Sequence, residues 1–174
     1  MSGALETGQV VAIALGVVAS VCDLRSRRIP NLLTFGGAAA ALLFSVVSHG
    51  AAGLWISLGG WCAGLALFLP FWLLRGMGAG DVKLLACLGA WLGPGATLYA
   101  ALYASVAGGA MAIVMALATG YMGEALLNVQ MLLGHFFKSG LKPLPAVTLQ
   151  GARGPRLPYA LPIAVGAVAA IWLR

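Results

Sequence analysis

The stretch VVAIALGVVASVCDLRSRRIPN (residues 10–31) decides the architecture. Residues 10–22 carry no charge; then Asp23 arrives, followed by Arg25, Arg27 and Arg28 and closed by Ile29-Pro30-Asn31. An uncharged run that breaks into a basic, proline-ended connection reads as a membrane helix leaving the bilayer. Asp23 sits at the boundary, where an ionised carboxylate costs roughly 2.5–3.5 kcal/mol on insertion scales. The only other aspartate, Asp81, has the same setting: it lies in GMGAGDVKL (76–84), after one apolar run, before the next, and two residues from Lys83. Acid is scarce, with 4 Asp and Glu against 10 Lys and Arg. Two such carboxyls at comparable membrane depth call for a reason, and a pair acting on one bond supplies it.

Composition agrees with the membrane reading. Hydrophobic residues make up 61% of the 174 residues, charged residues 8%, and mean hydropathy is +1.00. A soluble domain carries about a quarter charged residues, so lipid must cover most of this surface. The net charge of +6 does not point to nucleic acid, because the basic residues gather between apolar runs rather than along one face.

The apolar runs predict an all-α integral membrane protein, a single domain over 1–174. It has about six transmembrane helices near 5–22, 32–48, 53–74, 82–95, 96–118 and 158–173. The fourth is short and could be partly re-entrant, its end marked only by Gly93-Pro94-Gly95. Loop charge orients the bundle. Arg25, Arg27, Arg28, Arg75, Lys83, Lys138, Lys142, Arg153 and Arg156 fall in alternate connections, whereas 49–52 and 93–97 hold no Lys or Arg. The basic connections are therefore expected on the cytoplasmic side with both termini outside, Arg174 being the exception. Both aspartates then lie at the cytoplasmic edge. The amino terminus has Glu6 and no basic residue before its apolar run, so it reads as a retained helix rather than a cleaved signal.

Several features have structural readings. Cys22, Cys62 and Cys87 form no C-x-x-C pair and are expected to be small buried residues. Gly36-Gly37, Gly59-Gly60, Gly108-Gly109 and Gly166-Ala167 are expected at helix–helix contacts, where small residues allow close approach. Residues 121–139 place Leu126, Val129, Leu133, Phe136 and Phe137 on one face and Glu124, Asn128, His135 and Lys138 on another. This is an amphipathic interfacial helix on the cytoplasmic side, either a plain anchor or a wall guiding a substrate helix. His49 and His135 fall on opposite sides and are read as structural, which leaves no metal site and no cofactor.

Each aspartate has two readings. Gly76, Gly78 and Gly80 break a helix and leave room for an extended peptide to reach Asp81, yet Asp81 could equally be the N-cap of span four. Asp23 could be one partner of an interfacial ion pair with Arg25 or Arg27, with Asn31 capping span two. Together they have the makings of an aspartic protease, in which two close carboxyls share a proton, activate water and assist the leaving nitrogen.

Gly78-Ala79-Gly80-Asp81-Val82-Lys83-Leu84 resembles the GxGD-x-K-L signature of type IV prepilin peptidases. Asp23 with Arg28-Ile29-Pro30-Asn31 resembles their first aspartate motif, and Arg156-Leu157-Pro158-Tyr159 resembles the opening of their last span. The likeness runs over residues 10–170. It implies a bacterial inner-membrane aspartic endopeptidase that removes the basic leader of prepilins or pseudopilins at the cytoplasmic face. Asp23 and Asp81 would be catalytic, and Gly78, Gly80 and Lys83 supporting. Lys83 would hold the Asp81 region electrostatically or simply snorkel to the interface. Larger members of the family carry an extra cytoplasmic region with C-x-x-C pairs and methylate the product. The short connection after Asp23 has neither pair, so the resemblance implies a peptidase without methyltransferase activity, of the form serving Flp-type pili. Two other readings stay open: a presenilin- or signal-peptide-peptidase-like intramembrane protease, although Cys22 stands where a Tyr would precede the aspartate, and a non-enzymatic proton-coupled transporter or assembly subunit.

Overall fold

A computed structural model of the chain describes residues 2–139 and 157–173. Among the described residues the secondary structure is entirely helical: α1 (Ser2–Ser26), α2 (Asn31–Leu73), α3 (Ala79–Ala118), α4 (Met122–Ser139) and α5 (Ala160–Trp172). Three segments, Thr7–Ser26, Asn31–Leu73 and Ala79–Ala118, are long and apolar enough to cross a membrane. Their outward side chains are apolar as well: Leu32, Val47, Trp55, Val106 and Val114 all stand exposed. A soluble protein rarely carries so much exposed apolar surface, which points to a membrane protein.

The helix count departs from the six expected spans. The second and third spans are one helix, α2, and the fourth and fifth are one helix, α3. The 43 residues of α2 would measure about 65 Å if straight, about twice the hydrocarbon thickness. It is not straight. Gly50, in α2, has φ 62° and ψ −147°, and Gly93, in α3, has φ 79° and ψ 168°. Such positive φ values are open to glycine and strained for other residues. At each glycine the chain turns back within one residue, so the connections expected at 49–52 and 93–97 shrink almost to nothing.

Contacts on either side prove the turn. A Cβ placed on Gly53 would meet the Ser45 carbonyl, and one on Gly89 would lie 2.9 Å from Thr97 Oγ1. Residues eight apart in a straight helix are about 12 Å distant along the axis. The first arm of α2 runs alongside the first arm of α3, with Cys87 Sγ facing the Leu33 carbonyl at 3.9 Å and Trp91 Nε1 donating to the Gly37 carbonyl at 3.0 Å. The second arm runs the opposite way: Ser57 Oγ donates to the Ala90 carbonyl at 2.8 Å, Gly60 abuts Gly89, and Gly64 abuts Ala86.

The first arm of α3 is the centre of the bundle. Leu84 through Ala90 are all buried, enclosed by α1 and both arms of α2. A helix apolar on every side is one surrounded by protein. The arm of the expected fourth span is thus covered by neighbouring helices. The helix α5 runs antiparallel to α1, where Gly16 meets Ala164, and to the second arm of α3, where Gly166 meets Ala100 and Gly108 meets Tyr159. The small-residue pairs are not used alike: Gly59 and Gly60 both meet α3, and Gly166 and Ala167 are both buried. Gly37, Gly60 and Gly108 are tightly covered, whereas Gly109 has nothing nearby and Gly36 touches only Leu32 of its own helix. The cysteine expectation holds for Cys87 alone; Cys22 is half-buried and Cys62 exposed.

Candidate active site

These registers collect the end of α1, both ends of α2 and the starts of α3 and α5 at one end of the bundle. Gly50 and Gly93 lie at the other. Asp23 and Asp81 are therefore neighbours by construction, brought in by α1 and α3. The two carboxyls lie within electrostatic reach of one another.

Asp23 occupies the last turn but one of α1 and is only 8% exposed. The helix is closed by Arg27, at φ 54°, whose N–H donates to the Asp23 carbonyl at 2.9 Å. This is the left-handed cap usual at helix ends, made here without glycine. The Asp23 carboxylate accepts the backbone N–H of Ala160 at 3.3 Å. Ala160 opens α5, whose N-cap residue Tyr159 makes no side-chain cap bond. A carboxylate at a helix N-terminus satisfies an orphan N–H and meets the positive end of the helix dipole. The backbone N–H is a partner that the ion-pair reading of the sequence did not name.

Asp81 is the third residue of α3 and half-buried. It is not the N-cap; Gly78 is. The Asp81 N–H donates to the Gly78 carbonyl at 3.2 Å, and its carboxylate accepts from the Gly78 backbone in return. This is the returning half of a capping box, made by aspartate. Both neighbouring glycines have a spatial reason. A Cβ at 78 would stand 3.0 Å from Asp81 Oδ2, and one at 80 would stand 3.4 Å from the Ile29 side chain. The room beside Asp81 is thus partly taken by its own carboxyl and by Ile29 from the α1–α2 connection.

Lys83 reaches across to the start of α2. Its Nζ donates to Asn31 Oδ1 at 3.0 Å and lies 5.1 Å from the centre of the Phe35 ring. Asn31 is consequently not the cap of α2; Pro30 holds that position without a side-chain bond. The lysine ties the start of α3 to the start of α2. Arg25, Arg28 and Arg75 are exposed around this end.

One group was not singled out for chemistry from the sequence. Tyr159 lies within electrostatic reach of Asp81, and its ring packs edge-on against Phe68 at 6.2 Å. The only sequence signal was its place in a Pro-Tyr pair opening an apolar run. Among the described residues no three His, Cys, Asp or Glu side chains gather as a metal site. The amphipathic segment forms α4, with Leu126, Leu127, Val129 and Met131 exposed and Asn128 Nδ2 donating to Tyr121 Oη at 3.2 Å. His135 and Lys138 lie in α4, with side chains outside the described set; Lys142, Arg153 and Arg156 are outside the described residues.

The model of the type IV leader peptidase family matches residues 10–113, more than half of the chain and inclusive of both aspartates. The chain belongs to the type IV leader peptidase family. It is 33% identical over 110 residues to the prepilin leader peptidase/N-methyltransferase of Pectobacterium carotovorum subsp. carotovorum. That alignment takes in 55% of this chain and 38% of the relative, so the chain corresponds to well under half of the bifunctional protein. No solved structure matches.

Proposed function

We propose that the chain is a membrane aspartic endopeptidase that removes the basic leader from prepilins or pseudopilins at the cytoplasmic face of the bacterial inner membrane. The observation that carries this is the meeting of Asp23 and Asp81 at one end of the bundle, within electrostatic reach. They are the only aspartates of the chain, each with a carboxyl held by a backbone N–H. Two such groups share one proton. The ionised member takes a proton from the attacking water; the protonated member hydrogen-bonds the scissile carbonyl and then protonates the departing nitrogen.

The arms of α2 and α3, with α1 and α5, account for six crossings of the membrane. The basic connections then lie in the cytoplasm, and the start of α1 and the end of α5 face outward. The exposed arginines around the site repel a basic leader. Affinity therefore comes from the apolar helix of the substrate packing against the lipid-facing arms, with α4 resting at the interface beside them. Methyl transfer is not part of this reading: α1 and α2 are joined by residues 27–30 alone, and no C-x-x-C pair occurs in the sequence. A compact peptidase of this kind suits Flp-type pilins.

Co-expression with a candidate prepilin, followed by gel shift, tests the assignment. Asp23→Asn and Asp81→Asn are each expected to leave the leader in place. Processing at the wild-type rate by either variant would refute the dyad.

A further inference from the structure

We propose that the Tyr159 hydroxyl is a third catalytic group of this site, donating a hydrogen bond to the carbonyl oxygen of the peptide bond under attack. The proposal rests on the dyad reading above. Three observations converge on it.

Tyr159 sits on the turn that grips Asp23, since the next residue, Ala160, supplies the N–H to that carboxylate. The turn is continuous with α5, the Ile163 N–H donating to the Tyr159 carbonyl at 3.2 Å. The ring is also pinned. Phe68 meets it edge-on, and on its other side a Cβ at Gly108 would lie 2.7 Å from both the hydroxyl oxygen and Cε2. Only glycine at 108 lets the ring lie so close to the second arm of α3. An aromatic anchor at the membrane interface would point toward headgroups; this ring points into the bundle. Finally, the hydroxyl is within electrostatic reach of Asp81, on a side chain that is only half-buried and so partly open to an incoming peptide.

A neutral O–H donor on a pinned ring, within electrostatic reach of one carboxyl and on the turn that holds the other, is suited to charge developing on a carbonyl oxygen. It gives up no proton, so the dyad keeps its own. Because packing has already fixed the ring, no reorganisation is needed as the tetrahedral intermediate forms.

The test uses the full chain in detergent and a synthetic peptide with a basic leader, a glycine and an apolar helix. Tyr159→Phe keeps the ring against Phe68 and Gly108 and removes only the donor. It is expected to lower kcat on the order of 10²-fold, with KM and the thermal midpoint unchanged. Gly108→Ala keeps the hydroxyl but pushes the ring aside, and should lower kcat in the same way. A Tyr159→Phe enzyme with wild-type kcat overturns the proposal, as does a loss of kcat that merely follows a lowered thermal midpoint. If Asp23→Asn and Asp81→Asn are inactive while Tyr159→Phe is fully active, the tyrosine proposal alone fails. If the aspartate variants retain activity, the dyad reading fails first.

Discussion

Gly64→Ala tests how the active-site end is built. Gly64, in the second arm of α2, lies against the first arm of α3, and a Cβ there would stand 2.6 Å from Ala86 Cα, 2.7 Å from Ala86 N and 2.7 Å from the Leu85 carbonyl oxygen. All three are backbone atoms, so no side chain can swing aside. Ordinary carbon contacts begin near 3.5 Å, and the two helices must therefore part by about 1 Å. Two turns back along α2, Ser57 Oγ donates to the Ala90 carbonyl at 2.8 Å, and a shift of that size breaks the bond. Overpacking costs about 1–3 kcal/mol and the lost hydrogen bond about 1 kcal/mol, giving about 2–4 kcal/mol in all. The same shift moves the arm that carries Asp81, so turnover falls as well. Gly109→Ala is the control: its Cβ would meet nothing within 4 Å, and replacing a helical glycine by alanine gains about 1 kcal/mol. Thermal unfolding in detergent, with cleavage of the synthetic peptide, separates the two. If Gly64→Ala and Gly109→Ala melt together, the close α2–α3 contact is not what holds this end in place.

Other perturbations have defined outcomes. Lys83→Met removes the bond to Asn31 and the contact with Phe35, at a cost of about 1 kcal/mol. Since these partners of Lys83 hold helix starts together rather than touch substrate, the expected result is reduced but not abolished peptide cleavage. Asn31→Ala should produce a similar loss, and the double variant should lose less than the sum, the mark of a shared interaction. Arg75 closes α2 at φ 58°, its N–H bonded to the Trp72 carbonyl and that of Gly76 to the Phe71 carbonyl. Arg75→Gly relieves a left-handed residue and should stabilise the fold by about 1 kcal/mol, read as a raised thermal midpoint.

Much of this molecule is legible in its sequence because lipid simplifies the code. Uninterrupted apolar runs have few folded outcomes in a bilayer, and charge can collect only where a run ends, which is how Asp23 and Asp81 announce themselves. The turn positions were legible too, since Gly50 and Gly93 lie within the gaps that carry no Lys or Arg. That each reversal needs one residue was not, because nothing in a glycine's neighbours states its φ. The local roles at the site were misread for a related reason. Sequence rules for caps consider a residue and its next few neighbours, so Asp81 and Asn31 looked like caps. In the structure Gly78 and Pro30 take those positions, freeing Asn31 for Lys83, 52 residues away. The longest link of all, from Asp23 to the Ala160 N–H 137 residues on, leaves no trace in either local sequence, since a backbone N–H is the same in every residue but proline. What makes it possible is the antiparallel register of α1 and α5, which is set by small-residue contacts such as Gly16 with Ala164. The geometry of the site thus depends on glycine contacts deep in the bundle, and those that hold α5 in register are as much a part of the aspartate pair's placement as the turns that carry the aspartates.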